Sequence, residues 1–207
     1  HVAVRRQRQM CIRDSFINDV DNYVYLMDMH EEEHHDEDED HDEEEHEEGH
    51  DDHGGLILAN YLQEDAELDG YELEIGRVFN LASGDLEVSF SRDVVSGSLS
   101  NGMNIPRMSP ARNIYSVGYS VNDYLFDLSF KDVDSQTDTA EEESATSGYQ
   151  MLDAKLVRTF DLNGNSLRVS VFANNLLDEV ARNHASFVKN QVPLPGKNFG
   201  LRFNLSF

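Results

Sequence analysis

Eight stretches alternate apolar with polar side chains at a period of two, and the connections between them are alternately short and long. Few folds accommodate that pattern. Tyr124, Phe126, Leu128 and Phe130 oppose Asp127, Ser129 and Lys131, while Tyr115, Val117, Tyr119 and Val121 oppose Ser116, Gly118 and Ser120. Leu167, Val169, Val171 and Ala173 are set against Arg168, Ser170 and Asn174, and Phe199, Leu201, Phe203, Leu205 and Phe207 close the sequence. A period of two is the signature of strands with two unlike faces. The strands are expected at 16–27, 56–79, 86–91, 115–121, 124–130, 149–160, 167–173 and 199–207. In the first, Val20, Val24 and Leu26 share one parity, and in the second a break is expected near Gln63 to Asp65 with a bulge at Gly70. Short turns at 80–84, 122–123 and 161–165 then alternate with long connections at 28–55, 96–110, 132–148 and 175–197. That rhythm fits an all-β, transmembrane antiparallel β-barrel with short turns on one side and long loops on the other. A soluble β-sandwich also alternates, but its core needs an apolar inner face. Here Glu87, Lys131, Arg168 and Arg202 would occupy that face, as a barrel lumen permits and a sandwich core does not.

The first long connection contains a run that cannot bury anything. Residues 28–53 comprise seven His, seventeen Asp or Glu, Met29 and Gly49. A segment so charged cannot offset the entropy of ordering itself, so it is expected to be a solvated loop with no preformed site. Acidic runs are most often no more than solvated surface, but the His content is the feature of a metal-binding tract. His30, His34, His35, His41, His46, His50 and His53 each offer an imidazole nitrogen beside carboxylate oxygens, a mixture that borderline divalent ions accept. Copper binds such ligands more tightly than zinc by the Irving–Williams order, so the donor set alone does not select the ion.

The run also distorts the overall charge of −25. It holds 17 of the 41 acidic residues and no Lys or Arg, so the other 181 residues carry 24 acidic and 16 basic side chains, a balance of −8. With no basic stripe to follow phosphates, nucleic acid is not an expected partner. The single Cys11 excludes an intrachain disulfide. No run of eighteen apolar residues or signal-peptide pattern is present, and neither absence argues against a barrel. Residues 1–15 are basic and pattern-free around Arg5 to Ser15, resemble translated adapter sequence, and are expected to be non-native or disordered, with Cys11 given no role.

Three motifs carry a family resemblance. Ala66 to Glu72 has the form A-x-x-x-G-x-E. Asn174-Asn175-Leu176-Leu177-Asp178 contains N-L-x-D after the penultimate strand, and Pro193-Leu194-Pro195-Gly196-Lys197-Asn198-Phe199 leads into the final strand. In this order and spacing, residues 16–207 resemble the C-terminal barrel of TonB-dependent outer-membrane receptors, about its last eight strands. Within that family, the His- and acid-rich loop together with Arg182-Asn183-His184-Ala185-Ser186-Phe187 resembles the zinc-uptake receptors. The resemblance implies a fragment lacking plug, TonB box and earlier strands, in the outer membrane of a Gram-negative bacterium, with the 28–55 loop outside. It further implies capture of divalent metal, most closely zinc, and partners comprising that ion, the TonB complex and outer-membrane lipid. His184 lies in an external loop on this topology and is a possible addition to the metal set, although a lone loop His is more often solvated. A siderophore or haem receptor with an incidental loop, and a surface metal buffer or adhesin, are the alternatives. No nucleophile motif, P-loop or closed zinc set is present, so neither an enzyme nor an organic cofactor is expected.

Overall fold

The computed structural model describes residues 9–28 and 59–207. Eight strands follow in chain order: β1 (Gln9–Asp28), β2 (Ala59–Asn80), β3 (Asp85–Leu99), β4 (Arg112–Val121), β5 (Tyr124–Val133), β6 (Tyr149–Leu162), β7 (Asn165–Asn174) and β8 (Asn198–Ser206). They form one sheet in sequential order with every pair antiparallel. There is no second layer for a sandwich among the described residues. β1 and β8 do not pair with each other, so among the described residues each keeps an edge without a neighbouring strand.

The register confirms two unlike faces. Directly paired residues share a face, and one row reads Phe79, Leu86, Tyr119, Phe126, Leu156, Val171 and Leu201 across β2 to β8. The next row toward the long connections is Arg77, Val88, Val117, Leu128, Ala154, Ala173 and Phe199, and beyond it Ile75, Phe90, Tyr115, Phe130 and Leu152. On the opposite face, Gly76, Ser89, Ser116, Ser129 and Asp153 form one row and Glu87, Gly118, Asp127 and Lys155 lie in another. Lys155 Nζ lies 3.5 Å from Asp127 there.

The apolar face is a band with boundaries. On its long-connection side the row Leu73, Arg92, Asn113, Asp132 and Gln150 turns polar, with Arg92 donating to Tyr71 Oη and Asn113 Oδ1 at 2.8 Å each. Tyr115 stands at that edge with Phe90 at 5.0 Å and Phe130 at 6.2 Å between ring centroids. On the short-turn side Tyr124, Phe126 and Phe160 form a second aromatic belt. Between residues 124 and 130, β5 rises about 20 Å at ~3.3 Å per residue, near the ~25 Å apolar band of a membrane barrel.

Three expectations for the first hairpin are corrected. Gly70 pairs in register with Phe16 and Val95 and carries no bulge. A glycine is required because a Cβ would collide with the Val94 carbonyl oxygen and would also lie 2.8 Å from the ring of Phe16, which covers it. Phe172 covers Gly200 in the same way across β7 and β8. The bulge is on β1, where Asp21 and Asn22 oppose Asp65 alone between Val20↔Ala66 and Tyr23↔Glu64. Asn22 adopts a positive φ of 56°, and its N–H donates to Asp65 Oδ1 at 2.8 Å. β2 therefore runs through 63–65 unbroken. The bulge also separates Val20 from Val24 and Leu26, which fall on opposite faces rather than one.

β1 begins at Gln9, so residues 9–15 are strand rather than disordered, paired from Gln9↔Arg77 to Ser15↔Tyr71. Their side chains do not follow the faces: Met10 and Ile12 lie on the polar face, Arg13 and Ser15 on the apolar one. Backbone pairing, not patterning, holds them.

Candidate functional site

Seven of the sequence-derived ligands, His30, His34, His35, His41, His46, His50 and His53, lie outside the described residues. The strands around them are described. Asp28 pairs with Ala59, so the 29–58 connection leaves the sheet at the end where 100–111, 134–148 and 175–197 also leave it. The three short turns occupy the opposite end, and Asn163-Gly164 has the paired positive φ of a tight hairpin. Among the described residues no three His, Cys, Asp or Glu side chains gather into a metal set.

The long-connection end is nevertheless built. The 100–111 loop folds back over the polar side of β1 to β3, where Ile105 packs with Tyr25, Ala66 and Leu99 and is flanked by Met27, Met103 and Met108. Ile105 approaches so closely that a Cβ at Gly97 would lie 2.7 Å from its Cδ1. Ala66 of the A-x-x-x-G-x-E motif is thus the floor for this loop.

Asn175 of the N-L-x-D segment knots the last long loop. It is fully buried, adopts a positive φ of 51°, and its side chain accepts from Glu179 N–H at 2.9 Å while donating to Glu179 O at 2.8 Å and Pro195 O at 3.3 Å. Asp178 Oδ1 accepts Lys197 N–H at 2.9 Å. Both ends of the 175–197 loop are thereby fastened before β8 begins. In this chain the motif's role is structural.

A buried ionic cluster joins three of the loops. Glu143 accepts from Lys189 Nζ at 2.7 Å, the Arg107 amide at 3.0 Å and the Ala140 amide at 3.1 Å, and its Oε1 lies 3.0 Å from His184 Nε2. His184 Nδ1 lies 2.9 Å from Thr146 Oγ1. The side chains of His184, Glu143 and Lys189 are 0%, 3% and 7% exposed. Arg107 places its guanidinium 3.9 Å from the Phe187 ring centroid and donates to Leu26 O at 2.6 Å, which connects the cluster to β1, the stem of the His-rich connection.

Electrostatics favour a charged Glu143 and a neutral His184 in this cluster. Burial opposes the charge on Glu143, but the Lys189 hydrogen bond and the Ala140 and Arg107 amides outweigh it and hold the carboxyl below the usual carboxylate range. Burial first, and then the Lys189 charge, push the His184 imidazole below its ordinary value despite the pull of Glu143. The neutral ring donates from Nε2 to Glu143 and accepts the Thr146 hydroxyl at Nδ1, an assignment set by partner chemistry. Both nitrogens are engaged, so His184 is neither solvated nor offered to a metal. Sequence reasoning missed Glu143, Lys189 and Thr146. No spacing marks them, since they meet only when the 134–148 and 175–197 loops fold together.

No protein-family model matches the chain, and no curated protein matches it in sequence. Among solved structures it is similar to the copper transporter OprC, with a TM-score of 0.72 and 16% identity, over 96% of this chain and 29% of that one. The chain thus spans less than a third of that transporter's length. At this identity the likeness establishes the fold, a run of consecutive antiparallel strands from an outer-membrane β-barrel.

Proposed function

We propose that this chain is part of a TonB-dependent outer-membrane receptor of a Gram-negative bacterium that captures divalent metal, zinc foremost, at the cell surface for import. The observation that carries the proposal is the common exit of the four long connections. The only segment with the composition of a metal-binding tract leaves the sheet beside three loops locked together over its polar face. On this reading the apolar band meets lipid, the polar face lines the lumen, the short turns lie in the periplasm, and further strands complete the barrel from the edges of β1 and β8. A sheet with open edges is not stable in hydrocarbon, where each unpaired backbone group costs several kcal/mol. The TonB partnership rests on the resemblance of residues 16–207 to that family and belongs to a plug outside this sequence. The chain itself has no catalytic role.

Copper is the second reading, favoured by the affinity order of imidazole and carboxylate ligands and by the transporter to which the fold is similar. Calorimetry on a peptide of residues 28–53 tests whether the tract binds metal through its His. More than one zinc equivalent should bind near neutrality, and replacing all seven His by Asn should abolish most of the affinity, because carboxylates alone hold zinc poorly. Equal zinc affinity in both peptides would mean that the acidic charge merely condenses cations.

A further inference from the structure

The apolar face is not uniformly filled. A groove of about 460 Å3 opens on it, with almost wholly apolar walls including Phe126, Leu128, Leu156 and Val171. Its floor is the directly paired Ala154 and Ala173, the smallest side chains of their row between Leu128 and Phe199. At the short-turn end of this groove, two residues beyond Leu156 on the same face, stands Arg158. Its guanidinium lies 4.9 Å from the Tyr124 ring centroid and 4.4 Å from that of Phe160.

This arginine differs from its counterpart at the other boundary. Arg92, on the same face, is engaged by Asp134, whereas Arg158 forms no ion pair among the described residues and its cross-strand partners are Tyr124 and Val169. Two rings hold the guanidinium in place yet leave its in-plane N–H donors for a ligand. A planar fork of donors is suited to the oxygens of a phosphodiester.

We propose that this face carries a phospholipid site, in which one acyl chain lies along the groove over Ala154 and Ala173 and the lipid phosphate sits on Arg158. The occupant follows from the combination of features. Apolar lining with a single unneutralised cation at one end matches an amphiphile with an anionic headgroup, and the aromatic belt places that cation at headgroup height. The site lies on the short-turn side and so selects the periplasmic leaflet. This inference rests on the reading of the apolar face as lipid-facing.

The test uses the complete receptor, folded in detergent and examined by native mass spectrometry after incubation with dioleoyl phosphatidylethanolamine. One lipid should be retained per chain. Arg158→Gln should weaken retention about tenfold, the scale of one charge-assisted contact, and Ala173→Phe should remove it by filling the groove. Arg168→Gln, on the polar face, should change nothing. Because Ala173→Phe risks the fold, retention by Arg158→Gln decides alone: retention equal to wild type overturns the site. Equal retention of dioleoylglycerol, which lacks the phosphate, overturns it too, as does a lipid-free dimer. Leu128→Trp in vesicles with brominated chains separates the underlying reading. Quenched fluorescence with no lipid retained rejects only the site, and absent quenching rejects the lipid-facing assignment itself.

Discussion

His184 shows what a single residue can hide. In sequence it is a lone loop histidine among polar neighbours, and the structure buries it against Glu143, Lys189 and Thr146. Glu143 and Thr146 come from a loop about forty positions away, so no local pattern reveals the cluster. Lys189 neutralises a carboxylate that is almost wholly enclosed, and removing one member of such a pair leaves an uncompensated buried charge, a loss of about 3–5 kcal/mol. Lys189→Met should therefore release the 134–148 and 175–197 loops, seen as faster amide exchange and proteolysis there with β4 to β7 unaffected. The pH dependence has a definite sign. His184 binds its proton less readily folded than unfolded, so its contribution is complete above the ordinary imidazole pKa of ~6.5 and declines as pH falls below it. Glu143 is depressed, so its contribution is lost further down, as pH falls through the carboxylate range. Both act in one direction. Loop protection should be greatest near neutrality and drop in acid, and protection unchanged between pH 7 and pH 5 would contradict the neutral assignment of His184.

At the scale of strands, legibility depended on whether side chains alone set the structure. The alternation located β4, β5, β7 and β8 to within a few residues because each has one apolar and one polar face. It misplaced the bulge because Gly70 looks like a bulge residue, while the actual cause is an Asp65 carboxylate capturing the Asn22 amide. It also stopped β3 too early, since residues 92–99 pair with β2 beyond the apolar band, where no alternation is required. The two faces carry a quantitative expectation. Leu128→Arg lies in mid-band and should cost about 2–4 kcal/mol in a lipid bilayer, whereas Ser129→Arg, one residue along on the polar face, should cost much less. Denaturant titration of the barrel in vesicles measures both. The reverse order would place every strand one residue out of register, because a slip of one exchanges the faces.

At the scale of the whole molecule, the charge and the fold serve different ends. The sheet needs no large core: its buried apolar residues are few and concentrate where the 100–111 loop lies on the polar face. Most large apolar side chains are exposed on the other face, which is unfavourable in water and expected in a bilayer. Against that frame, seventeen of the acidic residues and seven of the nine His are concentrated in the single run 28–53, which starts where β1 ends. Many ligands tethered at a single mouth raise the local concentration of metal sites there without needing a rigid cage. Such a collector helps only while metal is scarce, since an abundant ion saturates the transport path unaided. The complete receptor with His30, His34, His35, His41, His46, His50 and His53 changed to Asn should thus support growth like wild type in zinc-replete medium and poorly under a zinc chelator, with a difference that shrinks as pH falls and imidazoles protonate. Rescue by added zinc and not by copper would identify the ion. Undiminished growth under chelation would remove the capture role, leaving a surface buffer or a receptor for a siderophore or haem whose loop is incidental.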